Sequence, residues 1–129
     1  MNIIAVDDEQ LALRSLIRVL EKVFDNSIIQ GFHNSAEALE RSRDIIGRYE
    51  KLDYAFLDVE MRGIGGIELA KQLKEICPSV RILFVSAHNQ YACEAFQLHA
   101  KGYILKPATE ELIVEALDSM EVEWRRPAK

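Results

Sequence analysis

The sequence predicts an α/β protein in which five βα units in series build one parallel sheet with helices on both faces. Two observations carry this reading. Five short apolar runs alternate with longer segments in which apolar residues recur every three or four positions. Four of the five runs show no polar alternation, the pattern of strands covered on both sides. Strands connected through helices pair in parallel, because a right-handed crossover needs the helix to return the chain.

The elements follow in order. Ile3-Ile4-Ala5-Val6 is the first strand, and Leu13, Leu16, Ile17, Leu20 and Phe24 line one face of the helix after it. Ile28-Ile29 is the second, leading to a weaker helical segment over residues 36–49 anchored by Leu39 and Ile46. Tyr54-Ala55-Phe56-Leu57 is the third, with Leu69, Ala70, Leu73, Ile76 and Cys77 marking its helix. Ile82-Leu83-Phe84-Val85 is the fourth, with Tyr91, Ala92, Ala95 and Phe96 on the next helical face. Tyr103-Ile104-Leu105 closes the series before a helix built on Leu112, Ile113, Ala116, Leu117, Met120 and Trp124, the last closing it against the core. Pro78 and Gly102 stand where helices stop.

The 129 residues suit one domain, read as residues 1–122, with 123–129 ending the last helix or opening a linker. Apolar residues make up 49% and charged residues 29%, an ordinary globular balance needing no metal or disulfide staple. The net charge of -5 argues against direct nucleic-acid contact, since Arg125, Arg126 and Lys129 form only a terminal cluster. Cys77 and Cys93 lack a C-x-x-C spacing and read as reduced core residues of a cytoplasmic protein. No run approaches the ~20 apolar residues of a membrane span, and no signal peptide opens the sequence.

In an open α/β sheet, ligands bind beyond the carboxyl ends of the strands. There strand 1 delivers Asp7-Asp8, strand 3 Asp58, strand 4 Ser86 and strand 5 Lys106-Pro107, whereas strand 2 offers nothing ionisable before His33. Each has a plainer reading alone: Asp8 as a helix N-cap, Asp58 as a turn residue, Ser86 as a cap, Lys106 as a solvated charge. Those readings do not explain the set. Neighbouring strands ~4.8 Å apart bring Asp8 and Asp58 together. At ~4.5 Å two like charges repel by about 3.7 kcal/mol at an effective dielectric near 20. A cation is therefore implied, and oxygen-only donors point to Mg²⁺, with Mn²⁺ the alternative, rather than Ca²⁺ or Zn²⁺. A carboxylate in such a site can act as nucleophile toward phosphorus, with the cation, Lys106 and Ser86 neutralising the phosphoryl oxygens. His33 and His99 read as surface or packing residues.

The set resembles the receiver domain of two-component response regulators, from Asn2 to about residue 121: the pair Asp7-Asp8, Asp58 closing its strand, Met61 and Gly66, Ser86-Ala87, and Lys106-Pro107. Residues 91–107, YACEAFQLHAKGYILKP, are most similar to regulators with a LytTR-type DNA-binding output. The resemblance implies the flavodoxin-like strand order 2-1-3-4-5 with five helices. It implies Asp58 as phosphoacceptor, with Mg²⁺ bound by Asp8, Asp58, Asp7 through water, and the Glu60 backbone carbonyl. Lys106, Ser86 and the Ala87 backbone would contact the phosphoryl group, Ser86 and Tyr103 would switch together, and Pro107 would follow a cis peptide bond. Glu60 and His88 would tune phosphoryl lifetime.

The implied partners are a sensor histidine kinase, a second copy on phosphorylation, and a C-terminal LytTR-type output domain if the sequence is a truncated piece, the alternative being a free-standing receiver. The surface of helix 4, strand 5 and helix 5 would carry the signal to transcription. One departure stands out. Arg62 occupies a position where the family commonly has proline, and with Gly63, Gly65 and Gly66 beside it a more mobile loop is expected. The competing readings are a phosphorylation-independent interaction module and a phosphatase with an aspartate nucleophile. The latter is disfavoured because Asp58-Val59-Glu60 lies in mid-chain with no cap domain.

Overall fold

Uninterrupted apolar runs form the centre of the sheet, and the mixed run of strand 2 forms one edge. In the computed structural model, which describes residues 1–119, the elements are β1 (Asn2–Val6), α1 (Gln10–Val23), β2 (Ile28–Phe32), α2 (Ser35–Gly47), β3 (Tyr54–Leu57), α3 (Gly66–Ile76), β4 (Arg81–Ser86), α4 (Ala92–Gln97), β5 (Gly102–Leu105) and α5 (Glu110–Asp118). All neighbouring strands pair in parallel in the order β2-β1-β3-β4-β5, as expected.

Strand side chains alternate between faces, and two cores result. Ile4, Val6, Ala55, Leu57, Ile82 and Phe84 pack with Leu39 of α2, Leu69 and Leu73 of α3, and Ala95 of α4. Ile3, Ala5, Phe56, Leu83 and Val85 face the other way, onto Leu13, Leu16 and Leu20 of α1 and Ile113 and Leu117 of α5. Consecutive strand residues thus feed opposite layers, which is why polar alternation is missing from β1, β3 and β4. β5 is the exception, because it lies at an edge: Leu105 is 46% exposed.

Several packing expectations are corrected. In α2 Leu39 is buried as expected, Ile46 is only partly buried against the same core, and Ile45 is the further buried anchor. α4 has six residues and buries only Ala95, leaving Phe96 exposed; so short a helix covers little of the sheet. In α5 Val114 is buried and Leu112 exposed, a small rotation of the expected face. Cys77 is buried, but Cys93 is exposed on α4 and is not a core residue; both are free thiols. Asp8 does not cap α1, whose N-cap is Glu9. The expected contacts of Met120 and Trp124, the 123–129 segment and the basic tail lie outside the described residues.

Candidate functional site

The sheet register brings the acids together. Val6 pairs with Leu57, so the next residues, Asp7 and Asp58, leave adjacent strands side by side. The ladder continues one step further, with Asp58 N–H donating to the Val6 carbonyl at 2.9 Å and Asp7 N–H to that of Phe32 at 3.1 Å. On the other flank, Lys106 N–H donates to the Ser86 carbonyl at 2.8 Å. Backbone pairing therefore holds the roots of Asp7, Asp58, Ser86 and Lys106 at one edge.

The side chains converge. Carboxylate oxygens of Asp7, Asp8 and Asp58 lie within 4.8 Å of one another. Lys106 Nζ donates to Asp7 Oδ2 at 2.8 Å and lies 3.4 Å from Asp58 Oδ2. Asp7 also accepts from the Glu9 N–H at 2.9 Å. Asp58 is 5% exposed. Burial first, then the negative charges of Asp7 and Asp8, raise its pKa to about 6 against the opposing pull of Lys106. For Lys106, burial works to lower the pKa, but the bond to Asp7 and the charges of Asp58 and Asp7 prevail and raise it. Three carboxylates against one ammonium leave an excess of negative charge on hard oxygen donors, which fits a small divalent cation such as Mg²⁺. Asp7, Asp8 and Asp58 are the residues that could hold it.

The loop after β3 is tied to the rest of the fold by hydrogen bonds. Arg62 N–H donates to Asp8 Oδ2 at 3.0 Å, a bond proline could not make because it lacks the hydrogen. Ser35 Oγ donates to the Ile64 carbonyl at 2.6 Å, and Gly66 N–H to that of Val59 at 2.9 Å. Gly63 turns the chain at φ +74°, where a side chain is disfavoured. At Gly66 the constraint is contact: a Cβ there would meet the Asp58 carbonyl oxygen at 2.0 Å.

Across the pocket, buried Ser86 accepts the His88 N–H on Oγ at 3.2 Å. Tyr103 is partly buried, its ring 6.2 Å from that of Phe84, and its hydroxyl donates to the His88 carbonyl. Ala87 is exposed, and the Lys106–Pro107 peptide is cis. Glu60 is exposed two residues past Asp58. Its Oε1 accepts the Tyr91 hydroxyl at 2.8 Å, and its Oε2 lies 3.8 Å from His88 Nε2. The Tyr91 pKa is raised, chiefly by that bond. Sequence reasoning placed Tyr91 on a helix face and missed this partner; no linear pattern links positions 31 residues apart. It also missed a cleft of about 380 Å³ beside Lys106, lined by Asp7, Leu11, Val85, Pro107 and Ala108. The one signal for it is Leu11, an apolar residue off the buried stripe of α1 and 78% exposed. His33 and His99 are exposed and outside the acid cluster.

Comparison with known proteins agrees with this fold. The family model described as response regulator receiver domain matches residues 3–118. The sensory transduction protein LytT of Bacillus subtilis is 35% identical over 117 residues, covering 91% of this chain and 46% of that protein. The transcriptional regulatory protein LytR of Staphylococcus aureus (strain N315) is 35% identical over 120 residues, covering 93% and 47%. The chain thus spans about half the length of the curated relatives it matches. Among solved structures, the response regulatory domain of protein mrkE from Klebsiella pneumoniae superposes with a TM-score of 0.76 at 30% identity, covering 92% of this chain and 93% of that one. A response regulator protein from Burkholderia pseudomallei, solved with a phosphorylated aspartic acid, calcium ion and citrate, gives 0.74 at 28% identity, covering 92% and 66%.

Proposed function

This chain belongs to the response regulator receiver domain family, and on that premise we propose that Asp58 accepts a phosphoryl group from a sensor histidine kinase and thereby switches an output domain. The observation that carries the reading is the meeting of Asp7, Asp8 and Asp58 within 4.8 Å beneath the Lys106 ammonium. The phosphorylated aspartic acid of the Burkholderia pseudomallei regulator supports the same chemistry.

The residues divide the work by position. An Asp58 oxygen attacks phosphorus as the bond from phosphorus to the kinase histidine nitrogen breaks, that electron pair returning to the imidazole. Burial strips water from Asp58, so the attacking carboxylate sheds little solvation. Lys106 sits between Asp7 and Asp58, close enough to follow charge from the carboxylate to the phosphoryl oxygens. Asp7, Asp8, Asp58 and the Glu60 carbonyl are the proposed Mg²⁺ ligands, Mn²⁺ being the substitute. Mg²⁺, when bound, neutralises phosphoryl charge and orients the group.

Ser86 exchanges its His88 N–H partner for a phosphoryl oxygen, the Ala87 N–H supplies a second donor, and Tyr103 moves with the His88 carbonyl it holds. Glu60 and His88 flank the pocket mouth and set the phosphoryl lifetime. The signal leaves through α4, β5 and α5, where Phe96, Leu105 and Leu112 are 61%, 46% and 39% exposed. Such apolar exposure suits contact with another domain or a second copy. The output proposed is a LytTR-type DNA-binding domain, on the resemblance of residues 91–107, and the name of the Staphylococcus aureus relative, transcriptional regulatory protein, supports control of transcription.

The test is intact mass after incubation with Mg²⁺ and a small acyl-phosphate donor. Wild type takes one phosphoryl adduct, labile at alkaline pH, and Asp58→Asn takes none. Equal labelling of both places the chemistry elsewhere.

A further inference from the structure

Beyond Asp58 lies a second question: what controls the loss of the group once it is there? We infer that Tyr91 is a positioning residue for that loss, holding the Glu60 carboxylate so that it cannot serve as a base for the attacking water. The inference rests on the Asp58 reading and adds to it a residue that acts only through another.

Hydrolysis requires a water oxygen to bond to phosphorus while the bond from phosphorus to the Asp58 oxygen breaks. The electron pair returns to the Asp58 carboxylate, and the water proton passes either to a nearby base or to the departing phosphate. Glu60 follows Asp58 by two residues, and His88 follows Ser86 by two, just beyond the ends of the neighbouring strands β3 and β4. Glu60 is therefore the carboxylate outside the metal cluster that stands nearest along the chain to Asp58. Its Oε1 accepts the Tyr91 hydroxyl at 2.8 Å, and its Oε2 faces the His88 imidazole at 3.8 Å, beyond hydrogen-bond distance. A carboxylate tied through Oε1 to the phenol is fixed in direction and cannot turn toward a water at Asp58, whereas one released from Tyr91 is free to reach that water as a base.

Tyr91 is also the N-cap residue of α4, its carbonyl accepting the Ala95 N–H at 3.0 Å. The phenol thus spans from the loop beyond β3 to the start of α4, a helix anchored to the core by Ala95 alone among its buried residues. A partner that displaces α4 draws the hydroxyl from Glu60. By reciprocity, whatever favours one state of that bond favours the corresponding placement of α4. Phosphoryl lifetime is in this way tied to whether the helix bearing exposed Phe96 is engaged.

The experiment follows decay of the phosphorylated chain by intact mass after removal of the acyl-phosphate donor, for wild type, Tyr91→Phe, Glu60→Gln and the double variant. Tyr91→Phe keeps the ring and removes only the hydroxyl. Decay accelerates at least about threefold in Tyr91→Phe, a fraction of the ~100-fold a well-placed base contributes. It does not accelerate in Glu60→Gln, and in that background the Tyr91 substitution has no effect. Hydrogen exchange of the Ala95 amide in unphosphorylated Tyr91→Phe rises above wild type, which reports the tie to α4. Tyr91→Phe decaying like wild type, or accelerating equally with glutamine at position 60, overturns the inference and leaves the Asp58 reading intact. Unchanged exchange at Ala95 overturns the link to α4. No adduct on wild type removes the Asp58 reading and this inference together.

Discussion

Asp58→Asn is expected to make the ion-free protein more stable, an outcome opposite to that of most buried substitutions. The magnitude follows from the structure. Oxygens of Asp58 and the two other acids lie within 4.8 Å, and a pair of unit charges at that separation repels by about 3.5 kcal/mol at an effective dielectric near 20. Burial and those same charges, less the pull of Lys106, raise the pKa from 3.8 to about 6, which corresponds to about 3 kcal/mol of conflict between the charged form and its surroundings. The amide replacing the carboxylate remains polar in a buried site, which offsets part of the gain, so about 2 kcal/mol is expected. That is about 8 °C in melting temperature for a domain of this size.

The pH dependence has a definite sign. The folded-state pKa lies above the unfolded 3.8, so on raising the pH the unfolded chain releases this proton first. Wild-type stability at this site therefore falls between about pH 4 and pH 6 and levels off above, and the gap to Asp58→Asn opens over the same window. Thermal melts by circular dichroism in chelator, at about pH 4, 5, 6 and 7, measure it. Mg²⁺ at about 100 times its dissociation constant returns about 2.7 kcal/mol to wild type and closes the gap. A variant no more stable than wild type at neutral pH without Mg²⁺, or a gap that ignores pH, refutes the reasoning.

Three further outcomes are expected. Gly66→Ala costs more than about 2 kcal/mol in urea titration, because a Cβ meeting the Asp58 carbonyl oxygen at 2.0 Å forces the backbone beneath Asp58 to move. Arg62→Pro lowers ion-free stability by about 1 kcal/mol through loss of the N–H that binds Asp8 Oδ2; Arg62→Ala keeps that donor, so equal denaturant midpoints for the two variants count against this account. Lys106→Ala leaves Asp7 and Asp58 without their cation and costs about 3 kcal/mol at neutral pH. NMR titration then finds Asp58 protonated to a higher pH than in wild type, since its principal opposing charge is gone.

The fold was legible because its signal is local and repeated. Runs such as Tyr54-Ala55-Phe56-Leu57, without polar alternation, already imply two covered faces, and the residue after each run is by register at the carboxyl edge. Asp7, Asp58, Ser86 and Lys106 could thus be named as a cluster before any distance was known. Where the periodic signal is weak the sequence says less: nothing in it marks Ile45 as a buried residue of α2, and the apolar spacing of six-residue α4 does not reveal that Phe96 is exposed.

What the sequence determined by itself was therefore the alternation of strands and helices and the residue types delivered to one edge of the sheet, because hydrophobic period and backbone pairing are properties of neighbours along the chain. Tertiary structure alone decided that Arg62 clasps Asp8, that Tyr91 reaches Glu60, and that Lys106 lies nearer Asp7 than Asp58. Such contacts join residues far apart in the chain through side-chain reach and loop path, and no period in the sequence records either.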